Sequence, residues 1–234
     1  MSSISDNLQA VHRAIDEAAT AVSRNAHEVT LLAVSKTFGI DAVLEAAQAG
    51  QRAFGENYVQ EAVDKIAAAK KIAPSLELAW HFIGPIQSNK TRLIAEHFDW
   101  VHAVDREKIA QRLSEQRPAH LPPLNLCLQV NISGEASKSG AAIADTIVLA
   151  RTIAALPGVR LRGLMAIPEP TDQVLQQRAA FSQLRDLFQQ CRDDGIDMDT
   201  LSMGMSADLV AAIAEGATIV RIGSAIFGKR TYEK

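Results

Sequence analysis

The chain has 234 residues, of which 47% are hydrophobic and 22% charged, and its formal net charge is −3 at pH 7. This composition provides enough apolar side chains for a buried core and excludes an intrinsically disordered chain. The net charge also excludes the strong basic excess that nucleic-acid-binding proteins show. The sequence therefore predicts a globular protein without a nucleic-acid partner, organised as one domain over residues 1–234.

The two cysteines, Cys127 and Cys191, lie in apolar or helical segments and have no neighbour at the spacing of metal ligands. We interpret both as buried thiols of a protein in a reducing compartment, and we predict no metal site. The N-terminus lacks a basic segment followed by an apolar run, and no stretch reaches the roughly 20 apolar residues that span a bilayer. A cytoplasmic protein without membrane contact is therefore expected.

Apolar residues recur at steps of three and four after Ser3, which predicts an amphipathic N-terminal helix over residues 3–24. The chain then alternates short apolar runs with helical stretches, a pattern typical of βα units and a parallel sheet. The eight predicted strands cover residues 29–35, 52–54, 79–83, 100–104, 124–132, 159–167, 200–203 and 219–222. The helices predicted between them cover residues 41–49, 57–69, 89–97, 106–116, 141–155, 172–192 and 207–215.

Eight parallel strands in so short a chain fit a closed sheet better than an open one. The predicted fold class is therefore α/β, a single (β/α)₈ or TIM barrel over about residues 29–230 with an extra N-terminal helix. Functional groups of such barrels gather at the carboxyl ends of the strands. The residues that follow each apolar run are thus the candidates for a site.

Lys36 directly follows the apolar run 31–35 at the end of the first predicted strand. Desolvation there would lower the pKa of the lysine, and a neutral amine can attack an aldehyde to form a Schiff base. The alternative is an ordinary strand-end lysine whose ammonium group reaches solvent, and position alone favours that role.

A phosphate site is predicted after the last two strands. Ser206 is placed to cap the helix predicted from residue 207, which would leave backbone N–H groups directed at the barrel mouth. Gly223 and Ser224 add a backbone that a ligand can approach closely and a hydroxyl group. Barrels often bind phosphate at this location, and the joint placement of the three residues opposite Lys36 favours a functional site.

Three further polar residues have open roles. Arg221 lies inside the last apolar run, where its guanidinium needs a partner, either a carboxylate such as Glu56 or the ring nitrogen of a pyridine ligand. His81 is interpreted as a core histidine rather than an acid–base catalyst, and no second histidine or cysteine lies near it in the sequence. Asn57 could cap the following helix or bind a ligand hydroxyl.

Six segments in a fixed order carry a family resemblance. They read AVSKT (33–37), FGENY (54–58), HFIGPIQSNK (81–90), GLMAI (163–167), SMGMS (202–206) and VRIGSAIFG (220–228). Together they closely resemble the YggS/PROSC family of pyridoxal 5′-phosphate (PLP) homeostasis proteins, and the resemblance covers nearly the whole chain. It implies a fold-type III PLP barrel similar to the N-terminal domain of alanine racemase, without that enzyme's C-terminal β domain.

The resemblance also implies a cofactor site. In it Lys36 forms the internal aldimine with PLP, Arg221 contacts the pyridine nitrogen, and the predicted phosphate site binds the PLP phosphate. The implied cofactor-binding residues are Lys36, Asn57, Met165, Ser206, Arg221, Gly223 and Ser224. Family members are regarded as carriers or regulators of PLP in vitamin B6 homeostasis, without established catalytic turnover. PLP-dependent apoenzymes are then the expected recipients, and a monomer is expected.

The sequence departs from the family at one position. Many members carry a lysine or arginine two residues after the aldimine lysine, whereas this sequence has Phe38. A role in PLP transfer for a basic residue at that position is therefore not expected here. Lys138, in a segment similar to the family's Lys-x-Gly motif, is available for a secondary contact.

An enzyme remains the alternative, either a weak PLP-dependent amino-acid racemase or a Schiff-base aldolase acting on a sugar phosphate. Racemisation needs a second acid–base group on the opposite face of the cofactor, which alanine racemases supply as a tyrosine of their β domain. Neither Tyr58 nor Tyr232 is an obvious replacement. An arginine beside the pyridine nitrogen also weakens the ring as an electron sink. The resemblance therefore favours a PLP-binding protein without catalytic residues.

Overall fold

The structure is a computed structural model that describes residues 3–135 and 139–228. Its eight strands form a closed parallel barrel in chain order, and the last strand pairs with the first. The strands are β1 (Thr30–Val34), β2 (Ala53–Glu56), β3 (Ala79–Phe82), β4 (Trp100–Val104), β5 (Leu124–Gln129), β6 (Val159–Met165), β7 (Thr200–Ser202) and β8 (Ile219–Ile222). The predicted (β/α)₈ barrel is confirmed, and the predicted strand ends differ from these bounds by a few residues at most.

The helices in the described part of the chain surround this barrel. They are α1 (Ile4–Ala21), α2 (Ile40–Gln48), α3 (Val59–Ile72), α4 (Thr91–His97), α5 (Glu107–Gln116), α6 (Thr146–Ala154), α7 (Val174–Asp193), α8 (Leu209–Ala214) and α9 (Ser224–Phe227). The short α9, directly after β8, is absent from the predicted helices. None of these helices combines the length and the apolar character that a bilayer crossing requires.

Some predictions fall on residues outside the described ranges. Lys138 and Tyr232 are among them, so the secondary contact of Lys138 stays a prediction. The organisation of residues 1–234 as one domain and the end of the barrel at about residue 230 also stay predictions.

The N-terminal helix α1 forms because both its capping and its periodicity favour it. The Ser3 hydroxyl accepts the N–H of Asp6, and the Asp6 carboxylate accepts the N–H of Ser3, each at 3.1 Å, which completes a capping box. Leu8, Val11 and Ile15 share the face that is buried against the barrel's helices. Burial of each such side chain contributes about 1.5–3 kcal/mol, so packing rather than capping holds α1 in place.

The two cysteines are buried, as predicted, Cys127 in β5 and Cys191 in α7. Burial raises the pKa of the Cys127 thiol to about 12 and that of the Cys191 thiol to about 11. Both groups are therefore protonated near neutral pH, which makes them poor nucleophiles and poor metal ligands.

The predicted capping role of Ser206 is wrong. Helix α8 begins at Leu209, two residues later than predicted, and its N-cap position is Asp208. The Asp208 carboxylate accepts the N–H of Met205 at 2.6 Å, and the Asp208 N–H donates to the Met205 carbonyl at 3.3 Å. These two bonds fold residues 205–208 into a turn, so Ser206 lies exposed at the rim of the barrel.

Candidate functional site

The predicted site residues lie at the carboxyl ends of the strands, on one rim of the barrel. Lys36 follows β1, Asn57 follows β2, and Met165 ends β6. Ser206 lies after β7, and Gly223 lies after β8. The fold therefore gathers the seven predicted residues, with Arg221 in β8 and Ser224 at the start of α9, around the opening of one barrel.

The segments that carry Lys36 and Gly223 are direct neighbours. Strands β1 and β8 pair in parallel up to Ala33 and Ile222, and a Cβ atom on Gly223 would lie 3.2 Å from the Val34 carbonyl oxygen. Beyond the strands, the rings of Phe38 and Phe227 stack with centroids 5.1 Å apart. This aromatic contact joins the loop after β1 to helix α9.

The loop after Lys36 holds an unusual backbone conformation. Thr37 has a φ of +69°, which is costly for a β-branched residue. Its N–H donates to Glu61 Oε1 at 2.7 Å, and the N–H of Phe38 donates to the Ser35 carbonyl at 3.0 Å. Such strain persists only where surrounding contacts enforce it, and it is frequent beside functional groups. The side chain of Lys36 is half-buried at this turn.

A buried ionic cluster supports the Lys36 loop from below. Lys65 Nζ lies 2.6 Å from Glu56 Oε1 and donates to the Ser35 carbonyl at 2.9 Å, while the Ser35 hydroxyl donates to Glu56 Oε1 at 2.6 Å. Burial raises the pKa of Glu56, and Lys65 opposes that shift. Glu56 is therefore the partner of Lys65, so of the two partners left open for Arg221 the carboxylate of Glu56 is excluded.

Arg221 holds a buried positive charge inside the barrel. Its side chain is 5% exposed, Nη1 donates to Ser202 Oγ at 2.8 Å, and Nη2 donates to the Ala166 carbonyl at 3.0 Å. No carboxylate in the described part of the chain forms an ion pair with it, and the charge of Asp208 acts on it only from beyond ion-pair distance. Burial lowers its pKa to about 10, which still leaves the guanidinium charged near neutral pH. Its charge and remaining N–H donors suit an acceptor group on a ligand.

Two histidines extend this polar cluster. His81 Nδ1 lies 2.9 Å from His102 Nε2, and His102 Nδ1 lies 2.7 Å from Ser202 Oγ. Burial lowers the pKa of His81 to about 3, and burial together with His81 and Arg221 lowers that of His102 well below its usual value. Both rings are therefore neutral, and His81 is a hydrogen-bonded core histidine as interpreted above.

His102 is the residue that the sequence reasoning missed. His81 has no histidine near it in the sequence, but the fold places His102 beside it from the neighbouring strand. The available signal was a single polar residue within the apolar run of β4, WVHAV.

Asn57 and Met165 have surroundings that fit a ligand. The N-cap of α3 is Tyr58, so Asn57 does not cap that helix, and the capping alternative is wrong. Its Oδ1 atom is buried and has no hydrogen-bond partner among the described residues. Gly84 packs against it so closely that a Cβ atom would lie 2.4 Å from the Asn57 carbonyl oxygen. Met165 is fully buried at the end of β6.

The predicted phosphate residues lie where β7 and β8 leave the barrel. Gly223 is the N-cap of α9, and Ser224 is the exposed first residue of that helix. The first N–H groups of a helix have no acceptor within it and are available to a bound anion. Ser206 contributes an exposed hydroxyl on the neighbouring turn. The three residues thus border the same rim, although Ser206 is in a turn rather than at a helix cap.

Comparison with known proteins identifies the family of the chain. The family model "Alanine racemase, N-terminal domain" matches residues 7–231. A protein of Pseudomonas aeruginosa named pyridoxal phosphate homeostasis protein is 62% identical over 99% of this chain and 98% of its own length. One of the same name from Escherichia coli (strain K12) is 54% identical over the whole of both chains.

A solved structure adds a comparison of shape. PipY of Synechococcus elongatus PCC7942, a COG0325 family member determined with PLP bound, superposes with a TM-score of 0.79. The two sequences are 38% identical, and the superposition covers 92% of this chain and 100% of PipY. This chain belongs to the pyridoxal phosphate homeostasis proteins, a family built on the N-terminal domain of alanine racemase.

Proposed function

We propose that this protein binds PLP at the carboxyl ends of its barrel strands, holds it as a Schiff base on Lys36, and takes part in intracellular vitamin B6 homeostasis. The names of the relatives from P. aeruginosa and E. coli support the role, and the PLP-bound structure of PipY supports the ligand. The observation that carries the proposal in this chain is the buried Arg221 guanidinium without a carboxylate partner in the described residues.

The parts of PLP match the groups at the rim. The aldehyde suits Lys36, the pyridine nitrogen suits an N–H donor of Arg221, and the ring hydroxyl suits the buried Oδ1 of Asn57, which lacks a partner among the described residues. The phosphate suits the exposed hydroxyls and N–H groups at Ser206, Gly223 and Ser224, and Met165 provides an apolar contact for the ring. The residues present therefore fit the cofactor.

Lys36 reacts in its neutral form. Its amine attacks the aldehyde carbon of PLP, a C=N bond replaces the C=O bond, and the carbonyl oxygen leaves as water. The reverse reaction with water releases PLP unchanged. A reversible bond of this kind suits a carrier, because water is the only other molecule involved: it is formed on binding and consumed on release.

Arg221 would weaken the pyridine ring of PLP as an electron sink. PLP catalysis draws electrons into a protonated pyridine ring, and a guanidinium donor at the ring nitrogen disfavours that protonation. We therefore propose a carrier or regulator that delivers PLP to PLP-dependent apoenzymes rather than a racemase. We further propose that it acts as a monomer in the cytoplasm, where a reducing environment suits its two buried thiols.

Absorbance and mass mapping test the proposal. Purified protein incubated with PLP should show the absorbance of a Schiff base, and borohydride reduction followed by peptide mass mapping should find the label on Lys36. Lys36→Ala should lose the absorbance, whereas Lys71→Ala, at the exposed end of α3, should retain it. A wild-type protein that stays colourless with excess PLP, or a label on another lysine, would contradict the proposal.

A further inference from the structure

Four hydrogen-bonded side chains cross the barrel interior from Arg221 to His81. Arg221 in β8 donates to Ser202 in β7, Ser202 contacts His102 in β4, and His102 contacts His81 in β3, with donor–acceptor distances between 2.7 and 2.9 Å. All four side chains are at most 5% exposed. The last of them, His81, lines a cavity of about 640 Å³ whose other walls include residues at the amino ends of the strands.

The direction of each hydrogen bond follows from counting protons. Arginine only donates, so Ser202 Oγ accepts from Arg221. The hydroxyl carries one proton, and its one other partner in the described structure is Nδ1 of His102, which must then accept. His102 therefore carries its proton on Nε2 and donates it to Nδ1 of His81, whose own proton is on Nε2. The opposite direction would leave the buried Ser202 proton unpaired, which is unfavourable.

We propose that Ser202 and His102 are positioning residues that fix the Arg221 guanidinium for the pyridine nitrogen of PLP. This inference rests on the proposed binding of PLP. Arg221 has a long flexible side chain and no ion pair in the described residues to orient it, so Ser202 and the Ala166 carbonyl set its direction. His102 in turn fixes the rotation of the Ser202 hydroxyl.

The partners that orient Arg221 are neutral, which distinguishes this arrangement from an ordinary ion pair. A carboxylate at the place of Ser202 would orient Arg221 equally well, but it would also neutralise the charge and compete with the ligand. A hydroxyl held by a neutral imidazole orients the guanidinium and leaves its positive charge for the cofactor. Ser202 and His102 therefore serve the proposed site without contacting PLP.

The tautomers can be measured without PLP. In ¹⁵N-histidine NMR spectra at neutral pH, His102 and His81 should both be neutral and protonated on Nε2, with assignments taken from His102→Phe and His81→Phe. A proton on Nδ1 of His102, or a charged His102 ring, would overturn the inferred direction of the hydrogen bonds.

Binding measurements test the positioning role. Ser202→Ala should weaken PLP binding on the order of tenfold, the loss of one hydrogen bond to a charged group. His102→Phe should weaken it less and should change the pH dependence of the bound PLP absorbance, and Ser202→Thr, which keeps a hydroxyl, should restore part of the affinity. The matched control is Ser114→Ala, another buried serine, whose hydroxyl donates to the Pro157 carbonyl.

A final measurement separates positioning from mere stability. PLP should shift the ¹⁵N signal of His102 in the wild type, and Ser202→Ala should abolish that shift even though His102 itself is intact. Folded Ser202→Ala and His102→Phe proteins with wild-type affinity and wild-type pH dependence would refute the inference. A wild type that does not bind PLP would instead refute the proposed function on which the inference rests.

Discussion

Glu61 Oε1 accepts the N–H of Thr37 at 2.7 Å and thereby holds the residue after Lys36 at a φ of +69°. The same carboxylate lies 2.8 Å from Lys65 Nζ, so the buried ionic cluster and the strained turn share one anchor. The orientation of the proposed Schiff-base lysine thus depends on charges in helix α3. The free energy of unfolding should therefore respond to changes in the strained turn at Thr37 and to changes in the ionic cluster around Lys65.

We expect Thr37→Asn to stabilise the folded protein by about 1 kcal/mol, because asparagine adopts a positive φ more readily than a β-branched residue. Thr37→Val, which stays β-branched, should bring no such gain. Urea unfolding of the three proteins measures the difference. A less stable Thr37→Asn protein would show that the turn is not strained.

Removal of Lys65 should be costly. Lys65→Met leaves Glu56 buried without its cation, which should lower the free energy of unfolding by about 3–5 kcal/mol. The exposed Lys70→Met on the same helix is the matched control and should change stability by about 0.5 kcal/mol or less. Adding Glu56→Gln to Lys65→Met should recover much of the loss. A loss of similar size in both lysine variants would argue against the cluster.

The neutral histidines should make the protein sensitive to acid. Their folded pKa values are lowered, so the unfolded chain binds protons more readily. The free energy of unfolding should be highest above about pH 6.5. It should fall as the pH decreases towards the pKa of the histidines in the folded protein, which is about 3 for His81. Each pH unit in this range costs up to about 1.4 kcal/mol per histidine.

Urea unfolding between pH 7.5 and pH 5 checks this expectation. The slope against pH should flatten in His81→Phe and in His102→Phe, whereas His12→Gln, a change of an exposed histidine in α1, should leave it unchanged. Equal stability of the wild type across this range would mean that the two rings are not held neutral.

The two thiols should be unreactive in the native protein. Burial raises the pKa values of Cys127 and Cys191 to about 12 and about 11, so almost no thiolate exists near neutral pH. An aromatic disulfide reagent should release almost no coloured thiol from the folded protein. After denaturant is added, the amount released should correspond to both cysteines. Rapid modification of either thiol in the folded state would contradict their burial.

The barrel and the strand-end residues could be predicted from the sequence because both leave local patterns. Apolar runs indicate strands, and Lys36, Gly223 and Ser224 directly follow such runs. The hydrogen-bonded side chains from Arg221 to His81 could not be predicted, because hydrogen-bonded partners among them lie up to 100 residues apart in the sequence. Periodicity within one strand does not show which residues meet across a barrel.

The error at Ser206 has a different cause. Serine before a helical run is a sound capping signal, but Asp208, two residues later, competes for the same backbone and accepts the N–H of Met205. Ser206 is only the first of two capping residues in this turn, and the helix begins after the second. The roles of Ser206 and of the other proposed PLP contacts remain proposals, whereas the positions of those residues on one rim are shown by the fold.

The stacked rings of Phe38 and Phe227 connect two parts of the proposed PLP site. One ring belongs to the loop that carries Lys36, and the other belongs to the short helix that starts beside Gly223. In the proposed binding mode, the aldehyde and the phosphate of PLP contact two separate segments that this one apolar contact joins. We therefore expect the two segments to move together, rather than independently, when PLP is released.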